Sequence, residues 1–465
     1  MLKNIFLFYF TLFTLFSCSD APTETQVEKT VEPTETSSTS LNLLVGKTDK
    51  IVCKAEPSQS YAIYLPTSYT KNKTYPVLFF FDPHANGNLP LEKYKALAER
   101  YGFILAGSNN SKNGLNKVQL KNIIMPFFSD VLSTVSADTS HIFAAGFSGG
   151  AKVAQLAAYN TRYISGVISC SGALGRNMKI TVPFAGIAGK SDMNLLDMIL
   201  KDNQSKDSTA GHTLINFDGT HEWPPEQTFE EGLLFLELTR MKKQSPKIDT
   251  FIVNRYTALS DANLKRAKQE GNILNEVDCL DKKVQFLNGI TNTSDEQKQL
   301  QQLIESATFK NAVAKQSDLF KREKEIQKTF KNYFSSFELD KISTELKKLD
   351  SPINNSEKEM YERVKGYLSI GTYSYASQLL NQAGKEIEGE KVLAIYKIVD
   401  PLNSEHAYLS ACLFAKKGNI PNTITSLKEA ISLGFSDVSR LENDERFLAL
   451  RKNSDFNNLL NELRK

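Results

Sequence analysis

Cysteine is scarce, with five in 465 residues. Cys18 sits in an N-terminal apolar segment. Cys53, Cys170, Cys279 and Cys412 are too dispersed for a disulfide scaffold, although an exported chain could pair two of them, and no spacing suits zinc or iron–sulfur ligation. Histidine is equally sparse at five, and scattered, so neither a metal centre nor a cofactor is expected. Charge is nearly balanced, +3 overall with 23% charged residues. Without a face-sized cluster of Lys and Arg, the chain has no electrostatic footprint for nucleic acid. A glycine-rich phosphate loop and a dinucleotide fingerprint in the right context are also missing.

What remains is an ordinary globular composition, 41% hydrophobic and 10% aromatic. The chain is too long for one ordinary core, and about two to three domains are expected. The N-terminus, "MLKNIFLFYFTLFTLFSCSD", carries Lys3 and an apolar run from Ile5 to Phe16. That run is short for a membrane span and has the shape of an export signal. Cys18 directly after Leu15-Phe16-Ser17 resembles a bacterial lipobox, which implies cleavage before Cys18 and a lipid on its sulfur. Residues 1–17 are then a signal peptide. Residues 18–40, rich in Thr, Ser, Glu and Pro, are a disordered tether with little to bury. Asp20 lies two residues after Cys18, and by resemblance to other lipoproteins this favours the outer membrane, on either its periplasmic or its surface face.

From 41 to 243 short apolar strands alternate with amphipathic helices. "YAIYLPTSY", "YPVLFFFDPHANG", "FILAGSN", "HIFAAGF", "YISGVISCSGAL", "VPFAGIAGKSD" and "HTLINFDGTHEW" read as strands or strand ends. "PLEKYKALAERYG", "LKNIIMPFFSDVLSTV" and "LLDMILKDN" read as helices between them. This alternation predicts an α/β domain with a mostly parallel sheet covered on both faces. Near Ser245 glycine becomes rare and apolar residues recur at three- and four-residue steps, so 244–370 is expected to be helical. Within 371–465, Gly384 and Gly418 stand 34 residues apart, and at the same offset Ser377 matches Ala411, Leu380 matches Phe414, Gly389 matches Thr423 and Leu393 matches Leu427. That period resembles tetratricopeptide repeats with closing helices, which implies a surface for a protein partner.

The stretch "HIFAAGFSGGAKVAQLAAYN" carries the chemistry. Gly146-Phe147-Ser148-Gly149-Gly150 lies between an apolar strand and a small-residue helix, the context of a nucleophile elbow. A serine hydroxyl needs a base, and the base needs an orienting acid. Asp192, after "FAGIAG", and His221, in the loop "FDGTHEWPP", follow Ser148 in the required order. The other candidates are less well placed. His212 begins a strand, His141 precedes the elbow strand at its far end, Asp197 sits within a helix, and Asp218 shares the segment of His221. Trp223, the single tryptophan, is a bulky anchor for the His221 loop and a candidate substrate contact, as are Asn109 and Asn110 in "SNNSKNG".

"GFSGGA", "GKSDMN", "THEWPP" and "FFFDPHANG" together resemble the α/β-hydrolase superfamily, near the polyhydroxyalkanoate-depolymerase and dienelactone-hydrolase-like esterases. The resemblance spans Tyr61 to Leu238, under half of the chain. It implies an oxyanion hole made by the N–H of Gly149 and that of Ala85 or His84; the usual His-Gly pair is replaced here by Pro83-His84. Between Ser148 and Asp192 there is no room for a helical cap, which suggests an open cleft and a polar or polymeric ester. The leading expectation is an exported, lipid-anchored serine carboxylesterase. The alternative is a catalytically silent scaffold that binds a partner through its helical repeats.

Overall fold

The computed structural model describes residues 43–175, 179, 181–205, 208–244 and 248–464. The expected signal peptide, Cys18 and the whole of the tether lie outside them. Eight strands form one sheet: β1 (Thr48–Val52), β2 (Ser60–Tyr64), β3 (Tyr75–Phe81), β4 (Ile104–Ser108), β5 (Ala137–Phe147), β6 (Gly166–Cys170), β7 (Phe184–Gly189) and β8 (His212–Phe217). Their order is β1-β2-β4-β3-β5-β6-β7-β8. The pairs β1/β2 and β2/β4 are antiparallel, and every later pair is parallel. The mostly parallel sheet is what the alternating strands and helices predict, and its strand order is that of the α/β-hydrolase fold that the motif resemblance implies.

Side-chain alternation along the central strands assigns the two faces. Val77, Phe79, Phe81, Ile142 and Ala144 face α2 (Lys117–Thr134) and α3 (Gly149–Asn160), where Leu120, Phe127, Phe128, Val153 and Ala154 meet them. Leu78, Phe80, Phe143, Ala145 and Phe147 belong to the opposite core, with α1 (Asn88–Tyr101) and α5 (Glu226–Gln244). Helices α6 (Thr250–Gln269) and α7 (Ile273–Leu287) join that second core through Tyr256, Leu259 and Phe286. The composition shift near Ser245 therefore follows the last strand but precedes the last helices packed on this core. Helices α4 (Leu195–Gln204) and α8 (Ser294–Glu305) complete this part.

The described residues divide into two compact units. One holds those up to Lys190 together with Asn194–Lys310, and the other holds Ser191–Met193 and Asn311 onward. The second is helical: α9 (Ala307–Ser336) from Asn311 onward, α10 (Leu339–Lys348), α11 (Asn355–Leu380), α12 (Glu386–Val399), α13 (Ser404–Lys416), α14 (Ile420–Ser432), α15 (Val438–Asn443) and α16 (Ser454–Leu463). Helices α12 and α14 begin 34 residues apart. The turns before them carry Gly384 at φ 74° and Gly418 at φ 69°, a left-handed conformation in which glycine avoids the Cβ clash. Cys53, Cys170, Cys279 and Cys412 are all free thiols. Among the described residues no helix is long and apolar enough to cross a membrane.

Candidate active site

Strand β5 ends at Phe147, and the chain then turns sharply into α3. Ser148 makes that turn at φ 53° and ψ −116°, a strained conformation for a non-glycine residue that costs on the order of 1–3 kcal/mol. The surroundings hold it there. Its N–H donates to the Cys170 carbonyl at 2.8 Å, and a Cβ on Gly150 would collide with the Phe81 carbonyl. The small residues flanking the serine are therefore steric requirements of the turn. Behind it, the buried Gln155 Nε2 donates to Ser169 Oγ at 2.9 Å and to the Gly172 carbonyl at 3.3 Å, which fixes the loop after β6.

His221 Nε2 lies 3.0 Å from Ser148 Oγ. Its ring packs on Phe147, with centroids 4.8 Å apart. The loop carrying it is drawn to the end of β7. A Cβ on Gly189 would strike the carbonyls of Gly219 and Thr220, and Lys190 N–H donates to the Phe217 carbonyl at 2.8 Å. Asp192 lies just beyond, buried, in the loop that follows β7. The competing groups have other partners. His212 Nδ1 stands 2.8 Å from Asp202, His141 Nε2 stands 2.5 Å from Glu237, and Asp218 pairs with Lys190 at 2.7 Å. Asp197 lies in the first turn of α4.

Sequence reasoning gave no role to Asp82, at the end of β3. Its carboxylate is buried; one oxygen accepts the His84 N–H at 2.9 Å and the other accepts Trp223 Nε1 at 2.9 Å. Burial pushes its pKa up, but the hydrogen bonds from His84 and Trp223 outweigh burial and hold it below the ordinary value. Asp82 thus ties the loop after β3 to the loop that carries His221. The sequence signal was a lone carboxylate ending the run "FFFD".

These bonds alter the roles expected of several residues. The His84 N–H is taken by Asp82 Oδ1, and the Ala85 N–H points back to the Asp82 carbonyl at 3.3 Å, with Ala85 itself at φ 60°. Neither amide is an unengaged oxyanion donor as the loop stands. Gly149 opens α3 behind a serine that makes no side-chain cap, so its N–H has no partner within the helix. Asn109 Oδ1 accepts the Gly87 N–H at 3.1 Å and Asn110 Oδ1 accepts the Ser60 N–H at 2.8 Å, so both serve as loop clamps. Trp223 is buried against Phe80, Tyr94 and Phe147, with its only polar atom on Asp82.

No protein-family model and no curated protein sequence matches the chain. Solved structures with similarity to it include a ferulic acid esterase (17% identity, TM-score 0.31, covering 38% of this chain and 90% of that one). An esterase of Pyrobaculum calidifontis is similar at 11% identity and TM-score 0.34, over 43% of this chain and 85% of that one. A fluorophosphonate-binding serine hydrolase of Staphylococcus aureus is similar at 12% identity and TM-score 0.35, over 41% of this chain and 98% of that one. These neighbours are esterases and serine hydrolases. Likeness at this level says nothing of the present chain's substrate, and the functional reading rests on its own residues.

Proposed function

We propose that this chain is an exported, lipid-anchored serine hydrolase that cleaves carboxylic esters of a polar or polymeric substrate through Ser148, His221 and Asp192. One observation carries the reading: a serine hydroxyl at a strained, glycine-enclosed elbow stands 3.0 Å from an imidazole nitrogen. A structural serine gains nothing from that conformation, whereas a nucleophile gains exposure and a base. In the proposed course His221 Nε2 takes the proton as Ser148 Oγ adds to the ester carbon. The carbonyl electron pair moves onto oxygen, facing the Gly149 N–H at the head of α3. Collapse expels the alcohol, which receives the proton from His221, and leaves an acyl-Ser148. Water then adds with His221 again as base, and the acid departs. Asp192 is assigned to hold the imidazole tautomer, and the lipid on Cys18 to hold the domain at the membrane.

The test is covalent labelling of the full chain, purified in detergent, with a fluorophosphonate probe. The parent should label, Ser148→Ala should not, and His221→Ala should label at least 10²-fold more slowly, the usual scale of a general base's contribution. A folded parent that fails to label would remove the hydrolase reading and favour the partner-binding scaffold.

A further inference from the structure

An oxyanion that forms at Ser148 needs more than one donor, because a single hydrogen bond leaves much of the developing charge unstabilised in a desolvated site. Gly149 supplies one N–H. The neighbouring loop does not supply the second in the expected way, since the His84 and Ala85 amides are both turned to Asp82.

Another amide lies over the elbow. A Cβ built on Gly149 would overlap Oδ1 of Asn113, and it would stand 2.9 Å from the Asn113 Cγ and 3.5 Å from its Nδ2. The carboxamide therefore covers the Gly149 end of the turn, one residue after the serine. Its backbone is anchored: Asn113 N–H donates to the Pro83 carbonyl at 2.9 Å, and a β-bridge joins Lys112 to His84. The loop after β4 is thus stitched to the loop after β3, the loop from which the fold usually takes its second donor. The Asn113 carboxamide is exposed, and among the described residues no side-chain hydrogen bond restrains it. Rotation about χ2, a broad torsion, exchanges Oδ1 for Nδ2 at the position facing Gly149.

We propose that the Asn113 carboxamide is the second oxyanion donor, with its Nδ2–H joining the Gly149 N–H on the oxygen that gains charge when Ser148 adds to the ester. This rests on the hydrolase reading above. As the Ser148 Oγ–carbon bond forms, the carbonyl π pair becomes the oxyanion lone pair, the hydroxyl proton goes to His221, and Asn113 gives a hydrogen bond without transferring its proton. A side chain added at position 149 would displace the donor.

The experiment uses the full chain, with p-nitrophenyl acetate as substrate and a trifluoromethyl ketone as the inhibitor that forms an oxyanionic adduct on Ser148. Asn113→Ala and the isosteric Asn113→Asp are compared with the parent. Both should keep the parent's melting temperature, lower kcat by about 10²-fold with KM little changed, and weaken the ketone by the same factor. The aspartate variant should be the worse of the two, because it places negative charge beside the oxyanion. A kcat within threefold of the parent would overturn the proposal, as would a rise in KM alone or a fall in kcat with ketone affinity unchanged. A folded parent that neither labels with fluorophosphonate nor hydrolyses the ester removes the hydrolase reading and this proposal together. A labelled, active parent with indifferent Asn113 variants removes this proposal only.

Discussion

In the α/β unit the buried carboxylate of Asp82 takes its hydrogen bonds from a backbone N–H and an indole. In the helical unit the buried carboxylate of Glu323 takes two from the guanidinium of Arg363, at 2.9 and 2.7 Å. The consequences differ in sign. Burial raises both pKa values, but the donors around Asp82 outweigh it, whereas burial dominates at Glu323 even beside a cation and leaves its pKa raised. His84 and Trp223, from different loops, thus outweigh burial at Asp82, whereas the Arg363 guanidinium does not outweigh it at Glu323. The geometry explains the different uses. Asp82 lies at the end of a strand and clasps loops that bear functional side chains, while Glu323 joins α9 to α11 within the helical unit. Disturbing the first should change activity, and disturbing the second should change stability.

The largest expected effect lies in the helical unit. Arg363→Ala leaves Glu323 buried without its cation and should cost about 3–5 kcal/mol in urea unfolding. Because burial already disfavours the Glu323 charge, the double replacement Glu323→Leu with Arg363→Met should recover most of that loss. Ester turnover per folded molecule should stay at the parental level. If the single replacement left stability intact, the ion pair would not be holding α9 to α11.

Trp223→Phe comes next. It keeps the aromatic packing on Phe80 and Phe147 but removes the indole donor, leaving one Asp82 oxygen unsatisfied at a cost of about 1–3 kcal/mol. Loosening the His221 loop should also lower kcat, by up to about 10²-fold for a displacement near 1 Å. The pH dependence has a definite sign. A carboxyl whose folded pKa is depressed contributes stability above its unfolded value, near 3.8, and loses it as pH falls through the lower folded value. The gap between parent and variant should therefore be full at neutral pH and close in strong acid. A gap that did not shrink with acid would point to lost packing and not to the clasp.

How much of this was legible in the sequence follows from distance along the chain. The elbow was readable because its requirements are local: Gly146, Ser148, Gly149 and Gly150 lie within one turn. The strands were readable from "VLFFF" and "FAGIAG", apolar on both faces. Trp223 was read as an anchor for its loop, but its partner Asp82 stands 141 residues away and no periodicity joins them. The loop "SNNSKNG" was recognised as lying beside the site, yet which asparagine faces the elbow depends on its path. The path turns Asn109 and Asn110 back to Gly87 and Ser60 and brings Asn113 to Gly149. The composition change near Ser245 falls at the end of α5, one helix beyond the last strand. It carried no information about Tyr256 and Phe286, whose burial in the first core depends on where α6 and α7 return.

The smallest effect sharpens the comparison within the helical unit itself. Gly384 and Gly418 are each left-handed, at φ 74° and 69°, and a Cβ on either would meet nothing within 4 Å. Replacement by alanine should therefore exact only the left-handed penalty, about 1 kcal/mol at each position, and asparagine, which tolerates that conformation, should cost less. Equality is the informative part. If α11 to α14 are two copies of one helical hairpin, the turns are interchangeable and the two alanine variants should melt at the same temperature. Should one variant be neutral while the other loses the full amount, the offset of 34 residues would be a coincidence of spacing.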